Sequence, residues 1–106
     1  MSKYEPWQPI TDSKTLRVLG KMGEESCELG KIICRSIIQG LDGKDPHANF
    51  KLNREAIFEE LSDVAANSDL VLELLEPSVP ELLAMRERVA MKKEKLREWQ
   101  NGDLDD

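Results

Sequence analysis

The chain has 106 residues, 40% of them apolar and 34% charged, with 21 acidic against 15 basic side chains and a net charge of −6. That length suits one small domain, residues 1–106, and excludes a nucleotide fold with a separate substrate domain. No apolar run approaches the roughly 18 residues of a bilayer span. The opening MSKYEPWQPITDSK has no apolar core for a secretion signal, and no basic stripe suits a nucleic acid duplex. The expectation is a cytoplasmic protein with neither a membrane nor a duplex as partner.

An irregular arm, residues 1–12, contains Pro6 and Pro9. Asp12 or Ser13 can cap a first helix, which runs to about Gln39, where Gly40 and Gly43 end it. Residues 41–52 read as a loop, with turn signals at Asp42-Gly43 and Asp45-Pro46. Asn53 can cap a second helix that continues to about Glu76, before Pro77. Ser78 and Pro80 open a third, which ends near Gln100 ahead of Gly102 and an acidic tail, residues 101–106. No stretch alternates apolar and polar residues with β-branched enrichment. The predicted fold is all-α, an antiparallel bundle of three main helices.

Cys27 and Cys34 lie seven apart in the first helix. Two helical turns separate their Cα atoms by about 10.5 Å, beyond the roughly 7 Å that a disulfide allows. One histidine, His47 in a polar loop, argues against structural zinc. Both cysteines are read as small packing residues. They share a face with Leu16, Gly20, Gly23 and Gly30, and glycine costs about 1 kcal/mol in a helix interior relative to alanine. Three glycines on one face imply that a close helix contact demands them.

The acids divide by face. On the second helix the apolar stripe is Ala56, Ile57, Leu61, Val64, Val71, Leu74 and Leu75. Glu60, Asp63 and Asn67 fall inside it, whereas Glu59, Asp69 and Glu73 fall outside. On the first helix, Glu25 and Glu28 lie within the face formed by Val18, Met22, Leu29 and Ile32, with Glu24 at its edge. A bare carboxylate in an apolar setting must take up a proton or find a cation. A single ExxE or ExxD is ordinarily a solvated face. Two such pairs on neighbouring helices make a carboxylate cage suited to Mg²⁺, Mn²⁺ or Ca²⁺.

Glu24-Glu25-Ser26-Cys27-Glu28, followed by Glu60-Leu61-Ser62-Asp63, reads as EExxE then ExxD. Over roughly residues 13–76 the chain resembles the MazG-like superfamily of all-α nucleoside triphosphate pyrophosphohydrolases. The resemblance implies a helical bundle assembled as a dimer or tetramer. It implies Mg²⁺-dependent cleavage, with Mn²⁺ as the alternative ion, of a small-molecule nucleotide into a nucleoside monophosphate and pyrophosphate. It places metal ligands at Glu25, Glu28, Glu60 and Asp63, a catalytic role at Glu25, and a water-orienting role at Glu24. The related phosphoribosyl-ATP and dimeric dUTP hydrolases share this carboxylate logic.

Phosphoryl substitution needs charge neutralised on phosphate oxygens and a water held in line. Lys21, one turn before Glu25, is the leading cation for that work, with Lys31, Arg35 and Arg54 as others; each has an ordinary reading as a solvated charge. Asn67 can contact nucleotide or serve as a hydrogen-bonded amide in the core. Trp7, in the arm, is free to stack on a base; Trp99 packs the end of the third helix. The rival function is a helical interaction or oligomerisation module that keeps the fold without turnover, using Leu82, Met85, Val89, Leu96 and Trp99 as its face. Three helices leave more apolar faces than one copy covers, so a homo-oligomer is expected.

Overall fold

A computed structural model describes residues 7–45 and 51–102. Helix α1 spans Ser13–Gln39. Asp12 is extended at its N-cap, and its carboxylate accepts from the Thr15 backbone N–H and from the Thr15 hydroxyl, both at 2.8 Å. Those bonds hold the Asp12 carboxyl below the usual carboxylate range. Gly40, with φ 86°, ends the helix in a conformation that side chains disfavour, and its N–H donates to the Ser36 carbonyl.

The expected loop contains a short ladder. Strand β1 (Lys44–Asp45) pairs antiparallel with β2 (Lys51–Leu52), Lys44 opposite Leu52 and Asp45 opposite Lys51. Two residues per strand are too few for alternation to show in a sequence. His47 lies outside the described residues.

Helix α2 spans Asn53–Leu75. Asn53 was expected to cap it, but its side chain serves α1 instead. Asn53 is completely buried. It donates to the Gly40 carbonyl at 2.9 Å and to Gln39 Oε1 at 3.2 Å, and accepts from Arg35 Nε at 2.9 Å. Arg35 also donates to Asp45 at 2.9 Å. One amide thereby fastens the end of α1 to the start of α2. Gly43 is required here: a Cβ would lie 2.9 Å from Asn53 Nδ2, Gln39 Cβ and the Gln39 carbonyl oxygen.

The two helices run antiparallel, as the pairings of Arg35 with Asn53 and of Met22 with Ser68 require. Val18, Met22, Leu29 and Ile32 of α1 are half-buried, as are Val64, Val71 and Leu74 of α2. Among the described residues Ala56 is the one buried apolar side chain. The small-residue face of α1 does not meet α2. Cys27 and Cys34 are free and exposed, so within this chain they are not packing residues. Larger side chains remove more apolar area from water, and the Val18–Leu29 face therefore takes the contact.

The hairpin ends at Leu75, and a second unit begins at Glu76, which takes a positive φ of 49°. Helix α3 spans Val79–Gln100. Ser78 and Glu81 form a reciprocal capping box, and Pro80 sits in the first turn, where its missing N–H is harmless. Every residue of α3 is exposed, including Trp99. No helix among the described residues is long and apolar enough to cross a membrane. The architecture is mostly helical, as expected.

Candidate metal centre

The packing of α1 on α2 brings Glu25, Glu60 and Asp63 together. Carboxylate oxygens of all three lie within 4.8 Å of one another. Glu25 and Glu60 are half-buried and Asp63 is exposed. Each arrives for a simple reason. Glu25 lies on the α1 face that carries Val18 and Leu29, and Glu60 and Asp63 lie one helical turn apart on α2.

The cluster is electrostatically frustrated. Glu60 is pushed up from 4.5 to about 7, chiefly by its hydrogen bond to Glu25, then by desolvation and by the charges of Glu25, Asp63 and Glu28. Glu25 is held below its ordinary value by the same bond and by Lys21. Glu60 therefore keeps the proton and donates it to Glu25. Its Oε1 is buried with no hydrogen-bond partner, which is rare for a buried oxygen.

The pair predicts a pH dependence. A carboxyl whose folded value is raised stabilises the fold fully below its unfolded value of 4.5, and that contribution is lost as pH rises through about 7. Glu25 acts in the opposite sense: its stabilisation is present above 4.5 and lost on acidification. The metal-free melting temperature should therefore fall between about pH 5.5 and 8. Glu60→Gln should flatten that slope, and an unchanged slope in this variant would assign the titration elsewhere.

The other expected site residues are placed as follows. Lys21 Nζ lies 3.3 Å from Glu25 and 3.5 Å from Glu24, so it belongs to the cluster. Glu25 raises the Lys21 value further. Glu24 is exposed at its edge. Glu28 is exposed and stands outside the three-carboxylate group, although its charge acts on Glu60. Asn67 donates to the Asp63 carbonyl of its own helix at 2.8 Å. Arg54 stacks over Phe58, 4.9 Å from the ring centroid. Trp7 is 85% exposed in the segment before α1.

A cleft of about 260 Å³ opens beside Glu60, lined also by Glu28, Lys31, Ile32, Arg35, Asp45, Lys51, Ala56 and Glu59. Glu59 corrects the division by faces. It lies outside the apolar stripe, yet it forms the cleft wall and an ion pair with Lys51. The ladder folds Lys51 back over α2, and helical periodicity carries no signal for that. Arg35 and Lys51 are already paired, whereas Lys31 forms no ion pair among the described residues.

The donor set fits a hard divalent cation. Three carboxylates converge, one carrying a buried oxygen without a partner. Ligand oxygens about 3–4 Å apart are what an octahedral ion at roughly 2.1 Å requires, close to the spacing present. Comparison with protein-family models, with curated proteins and with solved structures finds no match.

Proposed function

We propose that this chain is a Mg²⁺-dependent nucleotide pyrophosphohydrolase, of the kind its EExxE and ExxD motifs resemble, cleaving a nucleoside or deoxynucleoside triphosphate to monophosphate and pyrophosphate. The observation that supports the reading is the unpartnered buried oxygen of Glu60, set in a three-carboxylate group beside a cleft with basic walls. Glu25, Glu60 and Asp63 would hold Mg²⁺ or Mn²⁺, with Glu28 at the cleft side. The ion would supply charge neutralisation on phosphate and a more acidic water.

The chain's own groups do the rest. Glu24, exposed at the cluster edge, orients water from the solvent side. Lys21 steadies phosphate charge next to Glu25. Lys31 offers the cleft a cation with no ion pair to break, and in this it surpasses Arg54, which is engaged with Phe58. Asn67 keeps its carbonyl oxygen for a ligand while its NH₂ serves α2. Trp7 is accessible for base stacking. Pyrophosphate release from a nucleotide panel, with and without Mg²⁺, tests the reading; no release from any triphosphate sinks it.

Metal binding has its own expected result. A ligand that binds only the folded state stabilises it by about 2.7 kcal/mol at a hundred times its Kd. Millimolar Mg²⁺ or Mn²⁺ should raise the melting temperature, and Glu60→Gln should reduce the rise. A wild-type curve unmoved by either ion refutes the site.

The second reading, a helical interaction module, is favoured by α3, whose Leu82, Met85, Val89, Leu96 and Trp99 are each 44–57% exposed. Both readings include a homo-oligomer, dimer or tetramer, because Ala56 alone is a thin core for the described residues.

A further inference from the structure

We propose that the uncharged face of α1 docks a second copy of this chain, the two α1 helices packing antiparallel about a two-fold axis near Cys27. The assignment rests on the homo-oligomer reading and is independent of the hydrolase reading. Leu16, Gly20, Gly23, Cys27, Gly30 and Cys34 succeed one another at alternating steps of four and three, and Ile37 continues the series. That is an unbroken heptad seam across α1, the pattern of helices packed along their length. In this chain the seam meets nothing. Leu16 is 50% and Ile37 79% exposed, both cysteines are exposed, and a Cβ at Gly20, Gly23 or Gly30 has no neighbour within 4 Å.

Glycine is the poorest residue for a helix interior apart from proline, and no packing inside the chain requires these three. A helix brought to the short end of the usual 8–10 Å interaxial range does require small residues. The seam thus has the shape of a close helix–helix contact whose other half is missing.

The flanking charges identify the occupant. One row beside the seam is Leu19, Ser26 and Ile33, without charge; the other is Arg17, Glu24 and Lys31. Parallel pairing would set the charged row against the uncharged one. Antiparallel pairing sets each row against its own reverse, so Glu24 faces Lys31 of the partner subunit and Lys31 faces Glu24 of the partner subunit. The charge order is complementary to itself about its own midpoint. An isologous interface needs that property, and an unrelated partner gives no reason for it.

The test is light scattering and sedimentation of the full chain in reducing buffer at micromolar concentration. The expected mass is two or four times 12.1 kDa. Glu24→Lys and Lys31→Glu should each weaken association by about tenfold or more, and the double variant should restore it. Gly23→Leu should weaken it by about a hundredfold with helical circular dichroism retained. If that variant unfolds, the charge-reversal cycle decides alone. A wild-type monomer overturns both this face and the oligomer reading, and a Cys27 thiol shielded in that monomer gives the seam to α3. An oligomer indifferent to the charge reversals and to leucine overturns the face and leaves the oligomer reading standing. Neither result bears on pyrophosphate release.

Discussion

Asp63→Asn and Glu25→Gln should each lower pyrophosphate release by at least about a hundredfold, the scale on which a preorganised charge-stabilising group acts. Metal-free stability should stay level or rise. Both carboxylates lie within 4.8 Å of Glu60, whose value their charges help to raise. Removing one of three like charges relieves repulsion, so a structural role and a ligand role separate in sign. Glu59 is unsuitable as a control, because it lines the cleft and pairs with Lys51. Asp69→Asn and Glu73→Gln, on exposed positions of α2, serve instead. The measurements are turnover for all four variants beside melting curves without metal. If Asp63→Asn turns over like Asp69→Asn, the acids are not the active site. If the ligand variants unfold the chain, the acids are structural and the interaction-module reading gains.

Asn53→Ala should cost about 2–4 kcal/mol, the second large effect. It removes the partner of Arg35 Nε, of the Gly40 carbonyl and of Gln39. Each group left buried and unpaired costs about 1–3 kcal/mol, although Arg35 keeps Asp45 as a partner. Gly43→Ala should weaken the same corner by a different route, since its methyl group would press on Asn53 and Gln39 at 2.9 Å. Urea midpoints at constant slope measure both changes. A loss for Asn53→Ala within about 0.5 kcal/mol, the range of ordinary surface substitutions, would show that the corner does not hold the hairpin.

The helices were legible in the sequence because their stop and start signals are local: Asp12 before α1, Gly40 after it, and Ser78 with Pro80 at α3. The gathering of Glu25, Glu60 and Asp63 was legible because one-face periodicity survives when two amphipathic helices pack. Glu28, on the same stripe by spacing, stands at the cleft because a face is broad and position within it depends on the crossing of the helices. Asn53 misled for a related reason. A polar residue before an apolar run looks like a cap, and nothing local reveals that Arg35, far back in α1, will claim it. The exposure of Cys27 and Cys34 was equally hidden, since periodicity finds an apolar face without saying what covers it.

The bond between Arg35 and Asn53 makes the hairpin a caliper. Glu25 stands ten residues from that pivot along α1, and Glu60 seven along α2, which is roughly 10–15 Å of lever. One degree of splay then changes the gap between the carboxylates by about 0.2 Å, from simple trigonometry on that length. Oxygen distances differ by a few tenths of an ångström between Mg²⁺ and Ca²⁺. For the proposed ion, a few degrees at the corner would thus retune the preferred radius. The choice between hard cations would be exercised by Arg35, Gly43 and Asn53, which touch no ligand, and drift there would alter ion preference while every acid stayed in place.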